Sequence, residues 1–300
     1  MKFILSICFV LALLSFGWTQ EPAPEEAARA AKIEALLDRL KFEKGQIELK
    51  GGLAKVNLPE GFRFLGPEDA EVVLTKLWGN PPGGARPLGL IVPVKSGTPK
   101  ESMARRDSWA VVIEYGEDGY VKDNDASKIN YDDLLKKMQE GTRAANKERA
   151  REGYPSVELI GWAAPPRYDA ASNKLYWAKE IAFESEGAHT LNYNIRMLGR
   201  RGVLVLNAVA GMEQLDEIEK AAPAILSMVE FQEGHRYADF KSGDKVATYG
   251  LAALVTGGIL AKAGFFKVLL VGLLAAKKFV VLGAIALFGF VKKFFGNREE

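Results

Sequence analysis

The chain has 300 residues, of which 48% are hydrophobic and 26% are charged, and its formal net charge is +2. Together with a mean hydropathy of −0.04, this composition excludes a disordered chain and a polytopic membrane protein. The charge is unevenly distributed, because residues 241–300 carry nine lysines and arginines against three acidic residues. An acidic part of ordinary globular composition is therefore joined to a basic and very apolar C-terminal segment.

The first 20 residues have the three-part pattern of a secretory signal peptide. Lys2 precedes an apolar run over 3–16, and small and polar residues follow before the acidic stretch that begins at Glu21. As a helix, this run would rise about 21 Å, which is short of the roughly 30 Å hydrocarbon core of a bilayer. We therefore predict a signal peptide over 1–20, cleaved near 17–20, and export of the remaining chain.

A second apolar region lies near the C-terminus. Residues 246–261 carry no charge, and Lys262 followed by four uncharged residues extends the stretch to 266. This length predicts a transmembrane helix over 246–266, in which Lys262 can reach the interface with its long side chain. The lipid bilayer is therefore the first expected partner.

Two further apolar runs within 267–296 are separated and closed by pairs of lysines. On one continuous helix the lysines of this region share one side, namely Lys262, Lys267, Lys277, Lys278, Lys292 and Lys293. Two interpretations stay open, a lysine-faced helix on the anionic cytoplasmic leaflet and a second short span. A single span leaves these lysines in the cytoplasm, as the positive-inside rule favours. We expect the cytoplasmic (inner) membrane, with the main domain on its extracytoplasmic, periplasmic side.

The middle of the chain predicts an exported α+β domain over 45–240, preceded by a helical stalk over 21–44. Glycine- and proline-containing turns divide it into short segments with period-two alternation, which predict strands over 46–49, 53–58, 62–65, 88–94, 108–115, 157–162, 174–184, 190–198 and 202–210. Helices are predicted from Pro67, over 131–151 and over 213–228, with a kink or break at Pro223. Because strands follow one another between isolated helices, we expect a mostly antiparallel sheet with flanking helices.

The sequence carries no motif of a familiar catalytic class, neither a nucleophile elbow nor a phosphate-binding or dinucleotide-binding loop. His189 and His235 lack a second ligand at zinc spacing, so we expect no metal and no cofactor. The acidic stretch from Asp123 to Ser127 has Lys128 where a calcium loop requires glycine, which favours a solvated turn. Basic residues of helix 131–151 alternate with glutamates, so we expect no nucleic-acid partner.

Aromatic and polar side chains occur together in four clusters. Rings beside amides, arginine and aspartate are typical of surfaces that bind sugars or peptides, although tryptophans in strands more often pack a core. The candidate ligand-binding residues are Trp78, Asn80, Trp162, Tyr168, Asp169, Trp177, Asn192, Asn194 and Arg196. In an alternative interpretation, Asp169 and Glu180 form the carboxylate pair of an enzyme that acts on envelope glycan or peptide, which requires them to lie roughly 5–10 Å apart.

These clusters also carry a resemblance. In chain order they are Trp78-Gly-Asn-Pro, Gly119-Tyr-Val-Lys-Asp, Gly161-Trp-Ala with Pro166-Arg-Tyr-Asp, Leu175-Tyr-Trp-Ala-Lys-Glu, Leu191-Asn-Tyr-Asn-Ile-Arg and Gly234-His-Arg-Tyr-Ala-Asp-Phe. From about Gly45 to the end, the chain resembles the bacterial family of predicted membrane-anchored proteins filed as domain of unknown function 2167. The resemblance implies an exported domain with a C-terminal membrane segment, and it supplies no catalytic residues.

Two other segments are similar to the layout of PsbP/Mog1-like α+β domains, the turn that begins at Asn57 and the helix end over 225–231. This second likeness concerns the fold alone. The sequence thus favours a non-catalytic binding or assembly module at the cell envelope, with an envelope protein or glycan as its partner. The alternative is the carboxylate enzyme.

Overall fold

The computed structural model describes residues 24–78, 80, 86–105, 107–151, 153, 155–184 and 189–256. Its strands are β1 (Phe42–Glu43), β2 (Gln46–Leu49), β3 (Ala54–Asn57), β4 (Phe62–Leu65), β5 (Gly89–Pro93), β6 (Ala110–Gly116), β7 (Tyr120–Lys122), β8 (Val157–Asp169), β9 (Lys174–Phe183), β10 (Thr190–Leu198), β11 (Val203–Gly211), β12 (Val229–Phe231) and β13 (Val246–Gly250). Its α-helices are α1 (Pro24–Leu37), α2 (Pro67–Val72), α3 (Pro99–Met103), α4 (Tyr131–Arg151), α5 (Leu215–Met228) and α6 (Leu251–Thr256). A π-helical turn over Val73–Leu77 continues α2.

Eight strands form the main sheet in the order β1-β4-β5-β6-β11-β10-β9-β8. Every pairing in it is antiparallel, which confirms the predicted α+β fold with a large antiparallel sheet and flanking helices. The longest unbroken pairings lie at β10, whose neighbours are β9 and β11. The alternation that predicted a strand over 190–198 therefore belongs to a central strand.

The edge strand β8 is longer than the sequence predicts, since it continues past 162 to Asp169. Pro165 and Pro166 break the sequence pattern, but the register of β8 against β9 shifts between Ala164 and Arg167. A proline is tolerated at such an irregularity on an edge strand, because no ladder hydrogen bond needs its missing N–H. The two prolines also make this edge a poor template for pairing with another chain.

One face of the sheet, here called the first face, is covered by α5 and by a three-stranded sheet of order β12-β3-β2. Its core is apolar, with Leu191, Ile195 and Leu206 of the main sheet packed in one cluster with Ile218 and Ile225 of α5. The helix is continuous from Leu215 to Met228, so of the kink or break predicted at Pro223 the break does not occur.

The opposite face, here called the second face, carries two separate apolar clusters. One cluster joins α1, α2 and the π-helical turn to β4, β5 and β6, and the other joins α4 and α6 to β8 and β9. Ile33, Leu37 and Leu40 are buried in the first of these clusters, and Phe42 pairs with Leu65 at the edge of the sheet. The segment predicted as a stalk thus differs in the structure, where its described part packs onto the domain.

The segment after the domain also differs from the prediction of one helix over 246–266. Residues 246–250 form β13, which pairs in parallel with β7, and the helix α6 begins only at Leu251. Leu251, Leu254 and Val255 are at most 2% exposed and pack in the cluster with α4. We call residues 246–256 the docked segment.

Within the ranges given above, the structure holds no helix with the length and apolar character needed to cross a membrane. The predicted signal peptide over 1–20 lies outside the described residues. The same holds for the predicted span beyond Thr256 and for the whole of 267–296 with its lysines.

Asp125 caps the helix of the docked segment. Its Oδ1 accepts a hydrogen bond from the Leu251 N–H at 3.1 Å, and its Oδ2 accepts one from the Ala252 N–H at 3.3 Å. We expect Asp125→Ala to weaken docking by about 1 kcal/mol, as the loss of a helix cap does. Hydrogen exchange of a peptide covering 246–256 should accelerate accordingly. Asp125→Asn keeps one acceptor oxygen and should have a smaller effect, and equal acceleration in both variants would contradict the capping role.

An ion pair holds the chain just before the docked segment. Arg200 donates from Nε and Nη2 to the two carboxylate oxygens of Asp244, at 2.7 and 2.9 Å. The bonds from Arg200 lower the pKa of Asp244 from 3.8 to about 2. A carboxyl with a lowered pKa stabilises the fold above its unfolded value, and this stabilisation is lost as the pH falls from about 3.8 towards 2.

Asp244→Asn should therefore lower the stability at neutral pH and flatten its dependence on pH between 4 and 2, because the variant has no carboxyl to protonate at this site. Urea unfolding of both proteins at a series of pH values checks this. Parallel acid profiles for the two proteins would show that the ion pair contributes nothing to the acid sensitivity.

Candidate functional site

Side chains with polar groups from five strands meet on the second face, between its two apolar clusters. The most buried of them are Lys179, Asn192, Asn194 and Arg196, each at most 8% exposed. We call the following set the polar face: Glu114, Trp162, Trp177, Lys179, Asn192, Asn194, Arg196 and Asn207.

The strand register places these residues in adjacent rows. Lys179 of β9 lies opposite Asn192 of β10, and Trp162 of β8 lies opposite Lys179 on its other side. One row further, Asn194 lies between Trp177 and Asn207. Since successive residues of a strand point to opposite faces, the apolar partners at 191, 193 and 195 pack on the first face.

Burial of this set distinguishes β10 from a strand that faces water on one side. Both faces of β10 are covered, because eight of its nine residues are buried, the exception being the half-buried Tyr193. The candidate residues Asn192, Asn194 and Arg196 are therefore polar groups in the interior. Buried polar groups normally have hydrogen-bond partners, so each atom here needs an account.

Part of the polar face is internally hydrogen-bonded. Arg196 donates to Asn194 Oδ1 at 3.4 Å and to the Ile195 carbonyl at 3.1 Å. The Asn194 amide donates to the Asn192 carbonyl at 2.9 Å, and the Asn207 amide donates to Asn192 Oδ1 at 3.3 Å. These bonds engage both ends of the Asn194 amide and join Asn192 to Asn207, whose Oδ1 is left without a partner.

The guanidinium of Arg196 also lies over the Trp177 ring, 4.9 Å from its centroid. This is the geometry of a cation–π contact, which stabilises a partly desolvated arginine. The contact holds Arg196 flat against the sheet. Its orientation is thus set by both its own strand and the neighbouring one.

Several donors of the polar face lack an acceptor. The indole N–H groups of Trp162 and Trp177 and the Asn192 side-chain NH₂ are buried without a hydrogen-bond partner. Lys179 has neither a hydrogen bond nor an ion pair to any residue that the structure describes. The unpaired groups that can donate therefore include an ammonium, two indoles and an amide.

The charges of the polar face shift one another's ionisation. Burial, followed by repulsion from Arg196, lowers the pKa of Lys179 to about 7. Burial lowers the pKa of Arg196 to about 10 although Glu114 opposes this shift. Burial raises the pKa of Glu114 to about 7 against the attraction of Arg196. The carboxylate thus faces Arg196, and Lys179 is left without a counter-charge.

Exposure increases towards one border of the polar face. Glu114 on β6 and Val205 and Asn207 on β11 are half-buried, whereas the residues on β9 and β10 are buried. The polar face is therefore least buried on the side of β6 and β11.

The structure brings together five of the nine predicted ligand-binding residues, namely Trp162, Trp177, Asn192, Asn194 and Arg196. The other four lie elsewhere. Trp78 packs in the apolar cluster with α2, and Asn80 is buried nearby in the chain with neither side-chain amide atom hydrogen-bonded.

Tyr168 and Asp169 lie at the β8–β9 hairpin. The Tyr168 hydroxyl donates to Asp123 Oδ2 at 2.8 Å. Asp123, which begins the turn predicted to be solvated, therefore has a structural role. Asp169 accepts bonds from the Ala171 N–H and the Ser172 hydroxyl within the turn, and these bonds lower its pKa. Both residues therefore stabilise the hairpin.

The predicted carboxylate pair is not assembled. Asp169 lies opposite Lys174, and Glu180 stands six residues further along β9. At about 3.3 Å per residue, this places the two positions roughly 20 Å apart, well beyond the 5–10 Å that the pair requires. Glu180 instead contacts His189, with 2.5 Å between Oε1 and Nδ1. Among the described residues no group of three or more metal-ligating side chains is close enough to hold an ion.

Sequence reasoning missed Lys179, Glu114 and Asn207. Lys179 belongs to the same sequence cluster as Trp177, and the two are in phase on one strand. Two residues of the same phase, one a buried tryptophan, are expected on the same face. Glu114 and Asn207 stand alone in apolar strands, and only the sheet order β6-β11-β10 places Asn207 beside β10 and Glu114 one strand further away.

A protein-family model described as "Protein of unknown function (DUF2167)" matches residues 41–288. The chain belongs to this family. The DUF2167 match includes β1 to β13 and therefore every residue of the polar face. A search of the curated proteins finds no match for the chain.

Solved structures provide remote similarities. Cyanobacterial PsbP (CyanoP) from Synechocystis is 10% identical, covers 62% of this chain and 91% of its own, and gives a TM-score of 0.34. The Ran-binding protein Mog1p from Saccharomyces cerevisiae is 10% identical over 62% and 84%, with a TM-score of 0.29. LpqN of Mycobacterium tuberculosis, involved in cell envelope biogenesis, is 12% identical over 67% and 96%, with a TM-score of 0.31. Similarities at this level support no transfer of function.

Proposed function

We propose that this DUF2167 protein is an exported binding or assembly module that its C-terminal segment holds at the cytoplasmic membrane, with the domain on the periplasmic side. The observation that carries the proposal is the docked segment. The apolar C-terminal part of the chain begins as a buried element of the domain. In this proposal a membrane segment beyond it follows the domain directly, without a flexible linker between the two.

Because of the docked segment, contact with lipid would begin after residue 256 and not at 246. Of the predicted span over 246–266, residues 246–256 are held by the domain, which leaves ten residues. Ten residues rise only about 15 Å as a helix, half of the hydrocarbon core. In this proposal the membrane contact therefore extends through the apolar runs and lysines of 267–296, and the domain lies close to the bilayer surface.

A binding role is favoured over the carboxylate enzyme by the arrangement of side chains. The residues that the enzyme interpretation needs are separated along β9, whereas the residues of the binding interpretation converge on the polar face. The polar face presents donors and positive charge in a fixed geometry, which suits recognition of a ligand by hydrogen bonds. We propose a small molecule, an envelope glycan or an envelope protein segment as the partner of this module.

Topology can be tested with the full chain produced in a Gram-negative host. We expect the protein to sediment with membranes, and we expect protease added to spheroplasts to degrade the domain while a cytoplasmic marker protein stays intact. Protection of the domain from protease under these conditions would contradict the proposed periplasmic location. A chain that ends at Thr256 serves as the matched variant and should be released in soluble form with the periplasmic fraction.

Extraction at alkaline pH separates the two modes of attachment. A transmembrane span should stay with the bilayer in carbonate buffer, whereas a lysine-faced interfacial helix should be released. Release from the membrane by high salt alone, in the full chain, would contradict an apolar anchor of either kind.

A further inference from the structure

We infer that the polar face is a binding site for an oxyanion, the carboxylate or phosphate group of a small molecule. The inference names the ligand class of the proposed binding module and rests on that proposal only in treating the protein as a binder. It depends on neither export nor the membrane.

The first argument is the balance of charge. Lys179 and Arg196 are both buried, and the carboxylate that acts on them, Glu114, faces Arg196. A buried ammonium without a counter-charge is costly, and proteins normally pair it or release its proton. No described residue offers an acceptor to Lys179. An anion bound beside it would supply the missing partner.

The second argument is the chemistry of the unpaired groups directly opposite Lys179. These are donors, namely the Asn192 NH₂ on one neighbouring strand and the Trp162 indole N–H on the other. The polar face also holds an unpaired acceptor, Asn207 Oδ1, but it lies on β11, one strand further from Lys179. Side chains directly opposite on neighbouring strands have Cβ atoms about 5 Å apart, so these donors surround one position. A carboxylate or phosphate accepts several such bonds at once, whereas a cation or an apolar group would leave every donor unpaired.

The third argument is rigidity. The Asn192 amide is held by the bond that its Oδ1 accepts from the Asn207 amide. Arg196 is held by Asn194 and by the Trp177 ring. These side chains are therefore oriented before any ligand binds, so binding carries little free-energy cost for ordering them.

The surroundings strengthen such a site. Apolar clusters flank the polar face on both sides, and a charge interaction is stronger where water is excluded. A contrasting depression of about 420 Å³ lies between α5 and the β2–β3 hairpin, lined among others by Gln46, Asn57 and Ser227. That depression has no charged lining residue and so offers no comparable recognition of an anion.

The test uses the full chain purified in detergent, with thermal unfolding followed by tryptophan fluorescence. Sodium phosphate and sodium acetate are compared with sodium chloride at equal ionic strength, so that general screening cancels. At about ten times the dissociation constant we expect one or both oxyanions to raise the unfolding midpoint by about 2–4 °C. The arm that responds identifies phosphate or carboxylate as the recognised group.

Two variants locate the effect. Lys179→Met should abolish the shift, whereas Lys137→Met, which removes an exposed lysine of α4, should keep it. Asn192→Asp puts a carboxylate oxygen beside Lys179 in nearly the same shape. It should raise the midpoint in anion-free buffer and respond no further to phosphate or acetate.

Three results would overturn the inference. They are no shift of the natural protein with either oxyanion, an equal shift in the Lys179→Met variant, and a lower midpoint for Asn192→Asp in anion-free buffer. The last remains informative even if Lys179→Met fails to fold. None of these results depends on where the protein lies in the cell, so a failure here leaves the fractionation result of the proposed topology standing.

Discussion

Replacing Lys179 by methionine is expected to raise the free energy of unfolding by about 2 kcal/mol, since buried ionic groups can often be replaced by apolar ones of similar size with a gain in stability. Lys179 is 5% exposed and has no described partner, so its positive charge lowers the stability of the unliganded fold. Methionine fills similar space with a flexible apolar chain. Most core substitutions destabilise a protein, so a gain here would mark a position kept for something other than stability.

The gain should depend on pH in a defined way. Burial lowers the pKa of Lys179 from 10.5 in the unfolded chain to about 7 in the fold. Below pH 7 both states are protonated, and the fold bears the full cost of the charge. Between about 7 and 10.5 the unfolded chain holds a proton that the fold has lost, so the cost declines as the pH rises. The difference between the variant and the natural protein should thus be largest below pH 7 and vanish near 10.5.

Urea unfolding of both full chains in detergent at several pH values measures this difference, and Lys137→Met controls for the loss of one positive charge from the surface. Destabilisation by Lys179→Met at pH 6 would show that Lys179 is paired within the fold. A gain that does not vary with pH would assign the effect to packing instead of charge.

Gly119→Ala is expected to release the docked segment, at a cost of about 2–3 kcal/mol. Gly119 has a φ of +110°, a conformation that side chains with a Cβ rarely adopt, and an added Cβ would lie 2.6 Å from the Lys245 carbonyl oxygen. That oxygen accepts the hydrogen bond from the Tyr120 N–H at 2.8 Å, next to the pairing of β7 with β13. The variant must therefore separate the two strands or distort both.

Gly61→Ala is the matched control. Gly61 also has a positive φ, +90°, but an added Cβ would meet nothing within 4 Å. The Gly61→Ala variant therefore shows the effect of backbone strain without a steric clash. Hydrogen exchange over 246–256 should accelerate about 30-fold or more in Gly119→Ala, since 2 kcal/mol corresponds to roughly that factor. Equal exchange over this segment in the two variants would refute the close approach of the strands.

Much of the sheet is predictable from the sequence because its strands follow period two over many residues. The predicted strands over 46–49, 62–65 and 190–198 have the bounds that the structure shows. The helix over 131–151 is likewise predicted to the residue, since Asn130 caps it with bonds from the Asp132 and Asp133 N–H groups. Local patterns of this kind depend on neighbours in the chain and need no knowledge of the fold.

The elements that sequence reasoning missed depend on distant contacts. β1 has two residues, too few for any period, and it exists because Phe42 meets Leu65. β13 lies in an apolar, uncharged stretch, a composition that is also typical of a membrane helix. It is a strand only because it pairs with β7, which lies more than a hundred residues earlier in the chain. Hydrophobicity alone does not distinguish a segment buried in protein from one buried in lipid.

The members of the polar face on β10 were predictable from the sequence, but their burial was not. The alternation of β10 places Asn192, Asn194 and Arg196 together on one side, which the sequence shows. Whether that side faces water depends on the helices packed above it, and these come from both ends of the chain. The same residues therefore suggest a solvated surface in the sequence and form a buried, donor-rich site in the structure.

The pairing of β7 with β13 also has a consequence for the order in which the molecule is completed. It joins Tyr120 to Val246, so it closes a loop of more than a hundred residues, and such non-local contacts form late in folding. The partners of α6, Asp125 and the cluster around α4, all precede it in the chain. Synthesis runs from the N-terminus, so the docked segment emerges from the ribosome after every described element that it contacts.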